Sequence, residues 1–244
     1  MRNHMIDLLY PPQCPCCGKT VSGRQTLCQD CECSLVRIPA PRCPFCGQAE
    51  EDCHCRKVPR PYDRVVAPFY YEAGAKELLH QVKFAGREDL VPYLADAMQR
   101  ELEARCFGEN LNRIMAVPAT HARLRERGFD QARSLAEHLD REHELLCGAV
   151  PDWDRLKRRV SGGEQHLQRS RTSRKKNVRG DFFLRNPEGL QGETILLVDD
   201  IVTSGATASE CAVQLKLAGA ERVVVLAAAV TRFAPLHYSS KDLL

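Results

Sequence analysis

A chain of 244 residues is long enough for one medium α/β domain and a small appendage, since domains typically run about 100–200 residues. Its 35 Lys and Arg stand against 32 Asp and Glu, so the total charge does not by itself argue for a nucleic-acid binder and local clustering must carry any such argument. No apolar run approaches the roughly 20 residues of a membrane span, and Met1–Pro12 is too short and polar for a secretory signal, so a cytoplasmic protein with no membrane span is expected.

The 13 cysteines are unevenly placed: ten lie between Cys14 and Cys55, and Cys106, Cys147 and Cys211 are scattered beyond. In a reducing compartment such clustered thiols read as metal ligands rather than disulfides. Cys14-x-x-Cys17, Cys28-x-x-Cys31, Cys43-x-x-Cys46 and Cys53-x-Cys55 supply eight thiols, enough for two tetrahedral four-cysteine zinc sites. The segment has few large apolar groups, so the metal is expected to be structural, holding a fold that has little core. Cys16, Cys33 and His54 lie beside these pairs without an assigned place. The prolines of Lys57-Val58-Pro59-Arg60-Pro61 mark a linker, which gives a cysteine-rich zinc-binding domain over residues 1–60 and a second domain over 61–244.

Past the linker, Arg64–Tyr71 is an apolar and aromatic run that suits a strand. Ala75–Phe84 has helical spacing at Leu78, Leu79 and Val82, and a second helix is expected over Leu90–Arg105. Arg113–Pro118 predicts a buried strand stopped by proline, and Phe129–Arg141 an amphipathic helix. Arg155–Arg179 holds ten Lys and Arg against the single acid Glu164 and reads as a mobile basic loop. Thr194–Val198 is the apolar run of a strand covered on both faces, ending on Asp199 and Asp200. A helix over Ala206–Ala218, stopped by Gly219, and a buried strand over Arg222–Val230 complete a βαβ unit. The fold class is therefore α/β, a parallel sheet flanked by helices.

Ligands in such sheets bind beyond the carboxyl ends of the strands, where Asp199 and Asp200 lie. After them Thr203, Ser204, Gly205, Ala206 and Thr207 offer three hydroxyls, a glycine for close backbone approach and the free amides of a helix start. Two acids followed by this cradle fit a ligand with vicinal hydroxyls and a terminal phosphate, a ribose 5-phosphate. The motif resembles that of the type I phosphoribosyltransferases, with four apolar residues, two acids and a Thr/Gly-rich loop. The resemblance implies a phosphoribosyltransferase-like fold for the second domain and a 5-phosphoribosyl diphosphate (PRPP)-like ligand with magnesium. Asp199 and Asp200 would hold the ribose hydroxyls, and Thr203–Thr207 the 5-phosphate.

After the strand ending at Pro118, the arginines Arg123, Arg125 and Arg127 are placed to receive a pyrophosphate through their planar forks of donors. The alternative for Arg123 or Arg125 is a solvated helix start. With Val117-Pro118, Arg123, Arg127-Gly128-Phe129, Gln131-Ala132, Leu79–Phe84, Arg174–Gly180 and the cysteine pairs, the chain resembles the ComF/GntX family of competence-associated proteins almost throughout. It departs at Asp130, where the family usually has Asn, and at the short pair Cys53-His54-Cys55. The resemblance implies a double zinc ribbon and a role in handling incoming DNA, with single-stranded DNA and other competence proteins as partners.

Catalysis would rest on electrostatic complement and positioning by Asp199, Asp200 and Arg127, since no Ser-His-Asp or Cys-His arrangement is present. The residues leave open whether the site transfers a phosphoribosyl group, as in nucleotide salvage, or only binds the ligand, and they do not identify an acceptor or an oligomeric state. The basic loop could close over the site, neutralise a DNA backbone or simply be solvated. Phe45, Tyr62 and Phe84 are candidates for base stacking.

Overall fold

The computed structural model describes residues 11–22, 25–55, 60–106, 108–142, 148–159 and 180–232. Its central strands are β1 (Arg64–Val66), β2 (Phe69–Tyr70), β3 (Arg113–Ala116), β4 (Val150–Pro151), β7 (Thr194–Val202) and β8 (Arg222–Val230). They form one sheet in the order β1-β8-β7-β3-β4, with β2 also paired to β8 and every pairing parallel. A separate antiparallel pair joins β5 (Leu156–Arg158) to β6 (Phe182–Leu184). The expected α/β class, a parallel sheet flanked by helices behind a small cysteine-rich unit, is the one that forms.

Strand periodicity explains the layers. Along β7 and β8, Leu196, Val198, Val224 and Leu226 enter one core, while Ile195, Leu197, Val223 and Val225 enter the other. The first core takes in α2 (Ala73–Phe84), α3 (Val91–Cys106) and α5 (Gln131–Glu142) through residues such as Leu78, Met98 and Leu135. The second takes in α6 (Ala206–Leu217) and the β5–β6 pair through Cys211, Leu215, Leu156 and Phe182.

Three expectations need correction, and one open alternative, a helix start after Pro118, is met. The run Arg64–Tyr71 is two short strands, because Pro68 has no amide for the ladder; the register with β8 is nevertheless the same on both sides of the break. The strand expected to end at Val198 continues to Val202, since β8 is long enough to pair with Asp199 and Ile201. The segment after Pro118, for which a solvated helix start was one alternative, is a helix of its own, α4 (His121–Arg127), capped by Thr120 accepting the Arg123 N–H and closed by Gly128. The start of the stretch read as basic loop, Arg155–Arg179, is the strand β5, which pairs with β6 just past its end; residues 160–179 of that loop lie outside the described residues.

The cysteine-rich unit contains one short helix, α1 (Gln29–Cys33), and grips the sheet from both sides of an edge. Val21, Leu27 and Leu35 pack into the first core; Ile38 and Ala49 pack into the second. Between them the chain runs along the edge: Ile38 N–H donates to the Pro68 carbonyl at 3.1 Å and Tyr70 N–H to the Val36 carbonyl at 2.9 Å. A parallel sheet edge left open is a template for unwanted pairing, and here it is covered. At the start of α2 the approach is so close that a Cβ on Gly74 would lie 2.3 Å from Ser34 Oγ. That hydroxyl donates to the Cys31 carbonyl at 2.7 Å, so it cannot move aside without losing a hydrogen bond.

Gly74→Ala is therefore expected to lower stability in urea by about 1–3 kcal/mol, the usual cost of overpacking. Combining it with Ser34→Ala, which removes the colliding oxygen, should restore part of the loss; equal midpoints for the single variant and wild type would contradict the packing described.

Candidate functional site

At the carboxyl end of β7 the side chains of Asp199 and Asp200 leave the strand in succession. The Asp199 carboxylate accepts the Asp200 N–H at 2.8 Å, which fixes the first carboxyl against the backbone of the second. Lys83, in the last turn of α2, reaches across and pairs with Asp200 at 2.7 Å. Burial pushes the Asp199 carboxyl well above the usual carboxylate range, and the neighbouring Asp200 charge pushes it the same way. Tyr71 is raised for the same two reasons, burial first and the Asp200 charge second.

After β7 the chain turns at Gly205, whose φ of 73° is left-handed, into α6. Glycine is needed there twice over, because a Cβ would also meet the Tyr62 hydroxyl at 2.6 Å. As N-cap it has no side chain to satisfy the first amides of α6, and only a long contact of 3.4 Å runs from Ala206 N–H to Ser204 Oγ. An uncapped helix start of this kind favours an anion.

The third wall comes from the segment after β3. Asp130 accepts the Ala119 N–H at 3.0 Å with one oxygen and the Arg133 N–H at 3.3 Å with the other, so it caps α5 and ties down the turn after Pro118 together. Burial raises its carboxyl, with the Asp200 charge adding to the shift. Arg127 lies over the Phe84 ring at 5.2 Å and donates to Gln131 at 2.9 Å. Its Nε is buried with no hydrogen-bond partner among the described residues, while the residue itself lines the site. From the opposite side β5 brings Arg158, held by Asp181 at 3.3 Å and stacked over Phe182 at 5.0 Å.

These walls enclose a cavity of about 360 Å³. Asp199, Asp200, Thr203, Thr207, Arg123 and Arg127 all line it, so the acids, two of the loop hydroxyls and two of the arginines come together. Ser204 and Ala206 are exposed, Gly205 is buried under Tyr62, and none of the three lines the cavity; nor does Arg125. The sequence reading missed Lys83, Arg158 and the capping role of Asp130. Lys83 had a signal: it falls four residues after Leu79 on the stripe that α2 buries, where the period calls for an apolar side chain. Arg158 had none, being one cation among ten.

The cysteines form two further sites. Cys14, Cys17, Cys28 and Cys31 make one group of four sulfurs and Cys43, Cys46, Cys53 and Cys55 another, all within 4.8 Å in each group. Contacts of 3.5 Å for Cys17–Cys28, 3.7 Å for Cys43–Cys55 and 3.6 Å for Cys46–Cys53 approach the roughly 3.8 Å edge of a tetrahedron around zinc at 2.3 Å. The eight expected ligands are brought together, the short pair Cys53–Cys55 included. Cys16 and Cys33 stand outside both groups.

Residues 5–60 match the double zinc ribbon domain family. Among curated proteins, the DNA utilization protein YhgH of Salmonella typhimurium is 33% identical over 218 residues, covering 87% of each chain. The chain belongs to the ComF/GntX family. Competence protein ComFC of Streptococcus pneumoniae is 26% identical, covering 86% of this chain and 96% of its own length. Competence protein F of Haemophilus influenzae is 24% identical, covering 86% and 93%. Solved structures with partial overlap include glutamine phosphoribosylpyrophosphate amidotransferase from B. subtilis, complexed with ADP and GMP, at TM-score 0.39 and 18% identity over 60% of this chain and 30% of that one. A hypoxanthine phosphoribosyltransferase from Staphylococcus aureus overlaps at TM-score 0.33 and 12% identity over 57% and 62%.

Within this ComF/GntX chain the two four-cysteine groups are the metal sites of the double ribbon, where four thiolates suit a structural zinc. Among the described residues no helix is long and apolar enough to cross a membrane. The departure at Asp130 has a physical account: its two oxygens serve two separate backbone amides, so the extra charge is spent on local structure.

Elemental analysis of the purified chain is expected to give two zinc ions, and of Cys53→Ser one; an unchanged metal content in the variant would remove Cys53 from the second site. A pH dependence follows from Asp199. Its folded carboxyl is raised, so the folded state holds more protons than the unfolded one above the ordinary carboxylate range, and stability falls as pH rises through that window. Asp199→Asn keeps the oxygen that accepts the Asp200 N–H. Its urea midpoint should match wild type near pH 4 and exceed it by a growing margin toward pH 7; a margin independent of pH would contradict the shift.

Proposed function

We propose that the cavity binds PRPP or a related ribose 5-phosphate ligand together with magnesium, and that this ComF-like protein acts in DNA uptake and handling. One observation carries the ligand reading: a single cavity is lined at once by the two acids, by Thr203 and Thr207 near an uncapped helix start, and by Arg123 and Arg127. In this reading Asp199 and Asp200 hold the ribose 2- and 3-hydroxyls, and the loop Thr203–Thr207 takes the 5-phosphate on its hydroxyls and amides. Arg127, which lines the cavity with its guanidinium stacked over Phe84, takes the diphosphate with Arg123.

Magnesium fits this set of oxygen donors, and when bound with the ligand it supplies charge neutralisation across the diphosphate. The chain's own residues orient the sugar and hold the departing diphosphate, so any transfer would draw on positioning and electrostatics rather than on a protein nucleophile. The names of the relatives support the biological role: proteins of DNA utilization and competence match along most of this chain. Single-stranded DNA is then the expected macromolecular partner, held through the basic stretch Arg155–Arg179, and other competence proteins are further partners. The aromatic candidates divide here: Tyr62 is packed under Gly205, whereas Phe84 is 58% exposed beside Arg127.

Titration calorimetry with PRPP and magnesium is expected to show saturable binding to the wild type that is lost in Asp200→Ala. Pyrophosphate release, followed in parallel with a panel of nucleobases and amines, separates the two uses of the site: release with an acceptor makes it a transferase, and binding without release makes it a ligand site. No PRPP binding by the wild type would sink the reading.

A further inference from the structure

Lys83 is a charged cavity group to which the ligand reading gives no task. Its side chain and that of Asp200 are only 15% and 16% exposed, and their charged atoms are 2.7 Å apart. Leu79 and Val82, four residues and one residue before it on α2, are buried in the core, so the stem of the lysine leaves a helix face that cannot shift freely. The ammonium is therefore fixed at the acid pair by packing, unlike a surface lysine that meets a carboxylate through flexibility. Two adjacent carboxylates in a cavity would otherwise attract any divalent cation in solution. With Lys83 in place, a cation approaching Asp200 meets a positive charge already at hydrogen-bond distance from the oxygen it needs.

We propose that Lys83 is a built-in counter-ion of the acid pair, which bars a free divalent cation from Asp200 until a ligand brings phosphate charge of its own into the cavity. The identity of that ligand rests on the ribose-phosphate reading; the exclusion of the free cation does not. The consequence is an order of binding. A divalent cation enters with the ligand's phosphates, where Arg127 and the loop oxygens meet the complex, and not ahead of it. An ion pair with a purely structural role would stabilise the chain but leave its affinity for metal unmoved when the lysine is neutralised.

The test uses Mn²⁺ alone as probe, followed by water proton relaxation on the full zinc-loaded chain. Wild type is expected to show only weak binding. Lys83→Met should gain one site at least about tenfold tighter, as removal of a unit charge beside a carboxylate implies. Lys83→Arg, which keeps the charge, should behave as wild type, and Asp200→Asn added to Lys83→Met should abolish the gained site. Lys83→Gln serves as a second neutral variant should the methionine form fail to fold. Equal Mn²⁺ affinity in wild type and both neutral variants would overturn the proposal, and so would a gained site that survives Asp200→Asn. PRPP calorimetry on the wild type separates the two readings. PRPP binding with a flat Mn²⁺ response sinks the counter-ion alone, whereas no PRPP binding with the Mn²⁺ contrast intact sinks the ribose-phosphate reading and leaves the counter-ion standing.

Discussion

Placing two adjacent carboxylates at the end of the central strand is the constraint around which the carboxyl side of this protein is arranged. β7 pairs with β3 as far as Val198 and with β8 on to Val202, so Asp199 and Asp200 leave a backbone that β8 still holds and cannot swing out to water as loop residues would. Their mutual repulsion and loss of hydration must be met locally. The Asp200 amide serves one carboxyl and Lys83 the other. Even so, the Asp199 carboxyl remains well above its ordinary range, which marks the arrangement as one the fold tolerates rather than gains from. Strain of this kind collects at sites with a use for it.

The opposite end of the sheet makes the contrast. There Arg64 pairs with Glu109 at 2.8 Å, Arg222 meets the same Glu109 at 3.4 Å, and Arg113 pairs with Glu193 at 2.7 Å. Acids and bases at the amino ends of the strands thus neutralise one another and help tie β1, β3, β7 and β8 together. At the carboxyl ends Arg123 and Arg127 face a cavity, and the Arg127 Nε has no acceptor among the described residues. At the amino ends the charges are matched among themselves, whereas at the carboxyl ends Lys83 pairs with Asp200 while Arg123 and Arg127 line an open cavity, where the general placement of sites in open α/β sheets leads one to expect a ligand.

Much of this was legible in the sequence for definite reasons. β7 and β8 announce themselves because strands buried on both faces need unbroken apolar runs. The metal groups announce themselves because four thiolates must come from closely spaced pairs. The acid pair and its loop were legible as a local motif, with every residue close in sequence. What stayed hidden depends on distant segments meeting. Lys83 lies far before its partner Asp200 in the chain, and only its breach of the helical stripe gave it away. Asp130 stood out only as a departure from the family's Asn; its bonds to the Ala119 and Arg133 amides need the folded turn. Strand β5 was masked by composition, since Arg158, one of the cations that suggest a loop, pairs with Phe182 across the ladder and stacks on its ring.

The ribbon unit has a part in the same site, though its metals are remote from the acid pair in sequence. By packing into both cores and bonding along β2, it fixes the edge from which α2 departs. α2 begins against the ribbon at Gly74 and ends at Phe84, just past Lys83, so the helix that carries the counter-ion is anchored at its other end by the cysteine-rich unit. Tyr62, at the exit from that unit, presses on Gly205 and holds the turn into α6. Loss of the ribbon's metal would then disturb the cavity through two contacts, the seat of α2 and the cover over Gly205, without any change in the residues that line it.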